Sequence, residues 1–245
     1  MTELLAERAE RVIAIELDAH LAEEVQKKFQ ANPRIVILQA DILRTNLAEL
    51  CRRYEREKCF VFGNLPYYVT SPIIHHLFQF AACIRGMGLL VQREVAERLT
   101  AAAGARDYGY LSVFVQLYSQ PRMVLGVPPG AFSPPPKVHS ALVSFEMTPR
   151  LADWGKVGEG SPRSPGQAAL PQDLRSELEA KFLDFVKRCF AQKRKNLLNN
   201  LSATYSRERA ERELAALSFP PTIRAEQLTL EQFASLFQRL RMPPS

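Results

Sequence analysis

The 245-residue chain lacks several things that would have pointed elsewhere. No apolar run approaches the roughly 20 residues needed to cross a bilayer, so no membrane partner is expected. The opening residues, MTELLAERAERVIAIELD, are charged from the third position and contain no secretory h-region. Cysteine is scarce: Cys51, Cys59, Cys83 and Cys189 form no CxxC pair and have no histidine at zinc spacing. They are expected as reduced core or surface thiols in a reducing compartment. His75 and His76 are adjacent and would point in different directions on a helix, so the sequence predicts no metal site. Nor is there a G-x-G-x-x-G loop; the GMG at 86–88 is followed by Val91 where a third glycine would stand.

What is present is ordinary for a globular protein, 47% hydrophobic and 24% charged residues, enough for a large domain with a smaller one. VIAIE (12–16), IVILQ (35–39) and CFVFG (59–63) read as short buried strands. Between the first two, Leu21, Val25 and Phe29 give a helical stripe. Apolar strands alternating with amphipathic helices predict an α/β fold, with a parallel sheet covered on both faces. In such sheets ligands sit beyond the carboxyl ends of the strands. Each end here carries a hydrogen-bonding side chain: Glu16, Asp41 just past the second run, and Asn64. GLLVQ (88–92) predicts a fourth strand followed by a helix over about 93–103, LSVFVQLY (111–118) a helix on the sheet, and RMVLGV (122–127) and VHSALVSFEM (138–147) two more strands.

Residues 155–172 are rich in Gly, Ser and Pro and read as a linker or surface insertion. Beyond them the pattern turns helical. Phe182, Phe185, Val186, Cys189 and Phe190 form one stripe, and Thr229 with Gln232 is a capping-box start. The expected organisation is an α/β domain over 1–150, a linker over 151–172 and a small all-helical domain over 173–245.

Net charge is +6, which mildly favours a polyanionic partner. It is concentrated: Lys181, Lys187, Arg188, Lys193, Arg194 and Lys195 stand against Asp184 alone between 181 and 200. That segment reads as a basic helix suited to phosphate contacts, with Asn196, Asn199 and Asn200 adding polar reach; a solvated face is the plainer alternative. Glu16 suits ribose hydroxyls, or simply the start of the next helix. Asp41 suits an adenine amino group, or merely caps the next turn.

Asn64-Leu65-Pro66-Tyr67 is more specific. The Asn64 side-chain oxygen and the Leu65 carbonyl form an acceptor pair for the two hydrogens of an exocyclic amine. Pro66 stiffens the turn without adding a donor. Tyr67 offers a flat face on which an extruded base can stack. The loop GAFSPPPKVHS (130–140) supplies a second aromatic, Phe132, able to close on the other face of that base.

With these residues assembled, the chain resembles the KsgA-type ribosomal RNA adenine dimethyltransferases. The resemblance runs through VIAIELD, QADIL, FGNLPYYVTSPII, LLVQREVAERLTA, DYGYLSV, AFSPPPKVHSALVSF, QKRKNLLNNL and RAEQLTLEQF. It implies a Rossmann-like methyltransferase domain using S-adenosyl-L-methionine, and a helical C-terminal domain. It implies transfer of two methyl groups to N6 of each of two adjacent adenines in small-subunit rRNA. Glu16 then matches the ribose-binding acid and Asp41 the contact to the cofactor's adenine. Asn64, Leu65, Pro66 and Tyr67 match the catalytic motif, with Asn64 also beside the cofactor, and Phe132 matches the second stacking aromatic. RNA contact falls to Lys187, Arg188, Lys193, Arg194 and Lys195. A cytoplasmic monomer acting on the small ribosomal subunit is expected; an organellar form would carry its targeting peptide upstream.

The chain departs from that family where the glycine-rich loop should precede Glu16 by about 20 residues. That position falls before Met1, so the first, central strand and its loop are expected to be missing, leaving the flanking strands with unpaired edges. Either the chain is a fragment or late-start form of an enzyme, or it is a shortened, catalytically inactive rRNA-binding assembly factor. The intact base-pocket residues favour the first.

Overall fold

A computed structural model describes residues 1–148, 172–192 and 195–241, with backbone alone at 172–176. The chain forms two compact units, one from Met1–Cys59 and Leu65–Ile84, the other from Phe60–Asn64 and Arg85 onward. The linker expected over 151–172 lies outside the described residues, apart from Gln172.

The first unit runs α1 (Thr2–Arg8), β1 (Val12–Glu16), α2 (Ala19–Phe29), β2 (Ile35–Gln39), α3 (Leu47–Arg53) and, after the β3 segment, α4 (Thr70–Gln79). β1 and β2 pair in parallel from Val12↔Ile35 to Glu16↔Gln39, as a helical crossover requires. Asp18 starts that crossover, its carboxylate accepting from His20 N at 2.8 Å and Leu21 N at 3.0 Å. Asn46 starts α3 in the same way, accepting from Glu49 N at 3.0 Å. A two-stranded pair offers little sheet to cover. So α2 buries Ala22 but leaves Leu21, the first residue of its expected apolar stripe, 50% exposed.

The second unit carries a four-stranded sheet in the order β3-β4-β6-β5, where β3 is Cys59–Asn64, β4 Ile84–Gln92, β5 Ser119–Val127 and β6 Ser140–Met147. α5 (Arg93–Thr100) and α6 (Tyr110–Tyr118) stand between β4 and β5. β6 is antiparallel to both β4 and β5. The parallel pairing expected of the early strands does not extend to this end of the sheet: residues 128–139 make no helical crossover, and a direct connection can return the chain only antiparallel.

β3 also departs from the buried strand expected of it, with Phe60 59% and Phe62 49% exposed. It is an edge strand, and its phenyl rings lie over glycines of β4. A Cβ on Gly86 would come within 2.8 Å of Phe60, and one on Gly88 within 3.0 Å of Phe62. The GMG is thus a strand that makes room for two rings. The matched advance of 60 with 86 and 62 with 88 also means that β3 and β4 run parallel. β1 and β2 form a sheet of two strands, and β3 is an edge of the four-stranded one.

Beyond residue 171 come α7 (Gln172–Cys189), α8 (Leu197–Leu201), α9 (Arg207–Ala216) and α10 (Leu230–Arg241). Their apolar stripes meet around Phe182, Phe185, Phe233 and Phe237, in one cluster with Val113 and Leu117 of α6. The predicted capping box forms: Gln232 N donates to Thr229 Oγ1 at 3.3 Å, and Thr229 N to Gln232 Oε1 at 2.9 Å.

Candidate functional site

In the first unit the fold brings Glu16 and Asp41 to one edge. Glu16 ends β1 and its partner Gln39 ends β2, with Ala40 N donating to Glu16 O at 2.9 Å, so Asp41 follows directly beside it. Both carboxylates already have local work. Glu16 Oε1 accepts from Asp18 N at 2.9 Å. Asp41 Oδ1 accepts from Leu43 N at 2.9 Å and caps a 3-10 turn over Ile42–Arg44, with Arg44 Nε 3.9 Å from its other oxygen. Each acid is half-buried and keeps a second oxygen beyond those amide bonds. Two acceptors beyond the carboxyl ends of adjacent parallel strands fit the hydroxyls and amino group of a nucleoside. The sequence holds no G-x-G-x-x-G run.

Leu65, Pro66 and Tyr67 belong to the same unit. Leu65 is buried and anchors the turn, while Pro66 is exposed with φ −60° and ψ 130°. The Pro66 carbonyl accepts from Val69 N at 3.1 Å and from Thr70 Oγ1 at 3.0 Å, which directs the chain into a 3-10 turn over Tyr67–Val69 and then α4. Tyr67 is half-buried and Tyr68 is 88% exposed.

Asn64 is the exposed last residue of β3 in the second unit. Because β3 and β4 run parallel, it lies toward the edge where β4 ends. The Phe132 loop leaves from that edge: Gln92 pairs with Ser140, Ser140 with Val127, and Arg93 N donates to His139 O at 2.9 Å. Phe132 is half-buried after a 3-10 turn over Pro129–Ala131, and the Ser133–Pro134 peptide is cis. Asn64 and Phe132 therefore share the carboxyl edge of one sheet.

The basic segment is not the single helix expected. α7 stops at Cys189 and α8 begins at Leu197, with Asn196 as its cap accepting from Asn199 N at 3.0 Å. Asn200 is turned inward, 7% exposed, donating to Cys189 O at 2.8 Å and Gln192 O at 3.4 Å. Asn196 and Asn200 thus hold the turn together rather than extend polar reach; the spacing of amides and basic residues cannot show which amides face backbone carbonyls. Lys187 and Lys195 are exposed. Arg188 is exposed but paired with Asp184 at 2.7 Å and Lys181 with Glu177 at 2.5 Å. Lys193 and Arg194 lie outside the described residues.

Sequence reasoning missed two clusters. Glu213, buried on α9, is bridged by Arg212 at 3.1 Å and Arg239 of α10 at 2.9 Å. Burial works to raise its carboxyl, and the hydrogen bonds from the two guanidiniums outweigh that and hold it below the usual range. Cys51, Cys59 and Cys83 gather in the first unit. Neither cluster has a sequence signal, because their members come from separate elements.

Residues 1–157 match the family model described as ribosomal RNA adenine dimethylase. The chain is 41% identical to the ribosomal RNA small subunit methyltransferase A of Acidobacterium capsulatum, over 98% of this chain and 77% of that protein. It is 36% identical to the protein of the same name in Koribacter versatilis, over 98% and 81%. Among solved structures, the 23S rRNA methyltransferase ErmE superposes with a TM-score of 0.67 at 25% identity, covering 98% of this chain and 86% of that one. A dimethyladenosine transferase from Plasmodium falciparum gives 0.70 at 22%, over 96% and 84%, which shows the shared Rossmann-like fold with its helical C-terminal region. Matched over more than half its length by that family model, and over nearly all of it by close relatives, this chain belongs to the ribosomal RNA adenine dimethylase family.

Proposed function

We propose that the chain is an rRNA adenine N6-dimethyltransferase that uses S-adenosyl-L-methionine and acts on two adjacent adenines of small-subunit rRNA. The observation that carries this reading is Asn64-Leu65-Pro66-Tyr67 at the carboxyl end of β3, with Phe132 leaving the same edge of that strand's sheet. The N6 lone pair of adenine is delocalised into the ring. Accepting both N6 hydrogens, on Asn64 Oδ1 and the Leu65 carbonyl, favours a pyramidal nitrogen whose lone pair is available. Tyr67 and Phe132 stack on the flipped base and exclude water from it. Glu16 and Asp41 hold the nucleoside part of the cofactor, which when bound supplies an electrophilic methyl group. Lys187, Arg188, Lys193, Arg194 and Lys195, in the helical segment 173–245, contact phosphates. We assign a monomer working in the cytoplasm; no helix among the described residues is long and apolar enough to cross a membrane.

Asn64→Ala should lower methyl transfer on the order of 10²-fold or more while RNA affinity is retained, the scale lost with one pre-organised hydrogen-bond partner. Unchanged methylation would remove Asn64 from the chemistry. A second reading, an rRNA-binding assembly factor without catalysis, rests on the exposed basic residues Lys187 and Lys195. Calorimetric titration with S-adenosyl-L-methionine separates the two. Saturable binding that weakens in Glu16→Ala supports the enzyme, and no heat with RNA binding intact supports the assembly factor.

A further inference from the structure

Three cysteines far apart in sequence meet in the first unit. Cys51 lies on α3, Cys59 opens β3, and Cys83 ends the 3-10 turn before β4. The Cys51 thiol points at the Cys83 carbonyl, 3.9 Å away, and the Cys83 thiol donates to Phe80 O at 3.3 Å. Cys51 is the neighbour that acts on the thiols of both Cys59 and Cys83. Cys51 is buried, and the other two are half-buried. Cys51 and Cys83 line a cavity of about 680 Å³ whose charged groups are Arg52, Glu55, Arg56 and Glu57; Cys59 is not on its wall. Arg56 is engaged by Glu10 at 2.5 Å. Among the described residues no group of three His, Cys, Asp or Glu side chains is placed to hold a metal ion. The cluster's chemistry is therefore that of thiols with one another.

Burial, and then the neighbouring Cys51 thiol, push the Cys59 thiol up to about 12 and the Cys83 thiol up to about 11. At neutral pH the Cys59 and Cys83 thiols are protonated and slow, and Cys83, which faces the cavity, is the readier of the two to ionise. Joining two of the sulfurs removes the thiol groups that burial disfavours as anions.

We propose that Cys83 and Cys51 are an oxidant-modifiable pair, in which a hydroperoxide reaching the cavity oxidises Cys83 and Cys51 resolves it as a disulfide. The Cys83 thiolate attacks the distal peroxide oxygen and the O–O bond breaks. The sulfur is oxidised to sulfenic acid, and the peroxide is reduced to an alcohol, or to water from hydrogen peroxide. The Cys51 sulfur then attacks the Cys83 sulfur; the S–S bond forms, the S–O bond breaks, and hydroxide leaves with the Cys51 proton as water. Two thiols and one hydroperoxide thus give one disulfide, one alcohol and one water. The cross-link joins positions 32 residues apart and encloses the segment that contains Asn64 to Tyr67. Nothing in the step depends on methyl transfer.

The test treats the 245-residue chain with hydrogen peroxide at pH 7, 8 and 9, blocks remaining thiols in denaturant, and maps peptides by mass without reduction. The expected product is a Cys51–Cys83 linked peptide lighter by two hydrogens and restored by dithiothreitol. Its rate of formation should rise nearly tenfold per pH unit. Cys189, fully buried in the helical core, should stay alkylatable after denaturation. In Cys51→Ser, Cys83 should pass on to sulfinic acid, and Cys59→Ser, which keeps both reacting thiols, should still form the link. Accumulation of oxidised Cys83 beside an intact Cys51, a dominant Cys51–Cys59 link, or loss of the link in Cys59→Ser overturns the proposal.

Discussion

The two strand pairs of this chain are built differently. Every residue of β1 is half-buried, and β2 is no better covered. β4 and β6 pack Ile84, Leu89, Val91, Ala141 and Val143 fully out of solvent. The helical segment is likewise closed to solvent, with Phe182 and Phe233 at 0% exposure and ring contacts at 5.6 Å for Phe182–Phe237 and Phe190–Phe233. The acids that suit a cofactor stand on the thin pair, and the aromatic loop stands on the well-packed sheet. Stability and the proposed nucleoside recognition therefore fall on different residues, and can be perturbed separately.

The largest expected effect is in the helical core. Phe233→Ala should cost about 3–5 kcal/mol, since a buried ring among rings leaves a cavity that neighbours cannot fill. Ile13→Ala in half-buried β1 should cost about 1–2 kcal/mol, because water already reaches much of that side chain. Urea midpoints measure both, and equal costs would break the comparison. The amides of β1 and β2 should likewise exchange hydrogen faster than those of β4 and β6.

Asn200 comes next. Asn200→Ala strips the Cys189 and Gln192 carbonyls of their donor in a buried turn and should cost about 1–3 kcal/mol. Asn46→Ala, the loss of an exposed cap in the first unit, should cost about 1 kcal/mol. Sequence could not have ranked these two. Asn46 sits before a helix as a cap should, whereas Asn200 lies among basic residues and reads as one more surface polar group.

That contrast marks how far the sequence was legible. Apolar runs and spacing located β1, β2, α6, α7 and α10, because they report a local face. The motif residues Glu16, Asp41 and Asn64 could be placed at strand ends for the same reason. Tertiary relations were not legible. The turn that interrupts the basic segment, the exposure of Phe60 and Phe62, the antiparallel return of β6, and the meeting of Cys51 with Cys83 all depend on which elements become neighbours.

Glu213 offers a pH-dependent test on the dense side. Its carboxyl is held below the usual range in the folded chain, so its contribution is present above the unfolded carboxylate pKa and is lost as pH falls through the folded value. Glu213→Gln should cost about 1 kcal/mol near pH 7, the scale of ion pairs whose cations remain partly in water. Urea titrations of both proteins should converge as the pH drops through the carboxylate range. A gap that persists in acid would assign the loss to packing rather than to charge.

The smallest effect on stability is expected at Asp41, where it is most informative. Asparagine caps as well as aspartate, so Asp41→Asn keeps the acceptor for Leu43 N and should change stability by less than about 0.5 kcal/mol. It also removes the negative charge and puts an amide in place of one carboxylate oxygen, the oxygen that would meet an adenine amino group. If Asp41 is there for the turn, the variant should behave like the parent in both urea and calorimetry. If it is there for the nucleoside, S-adenosyl-L-methionine affinity should fall about tenfold, the loss of one charge-assisted hydrogen bond, at an unchanged urea midpoint. A drop in stability without a drop in affinity would return Asp41 to the fold, and would leave Glu16 as the acid on which nucleoside recognition rests.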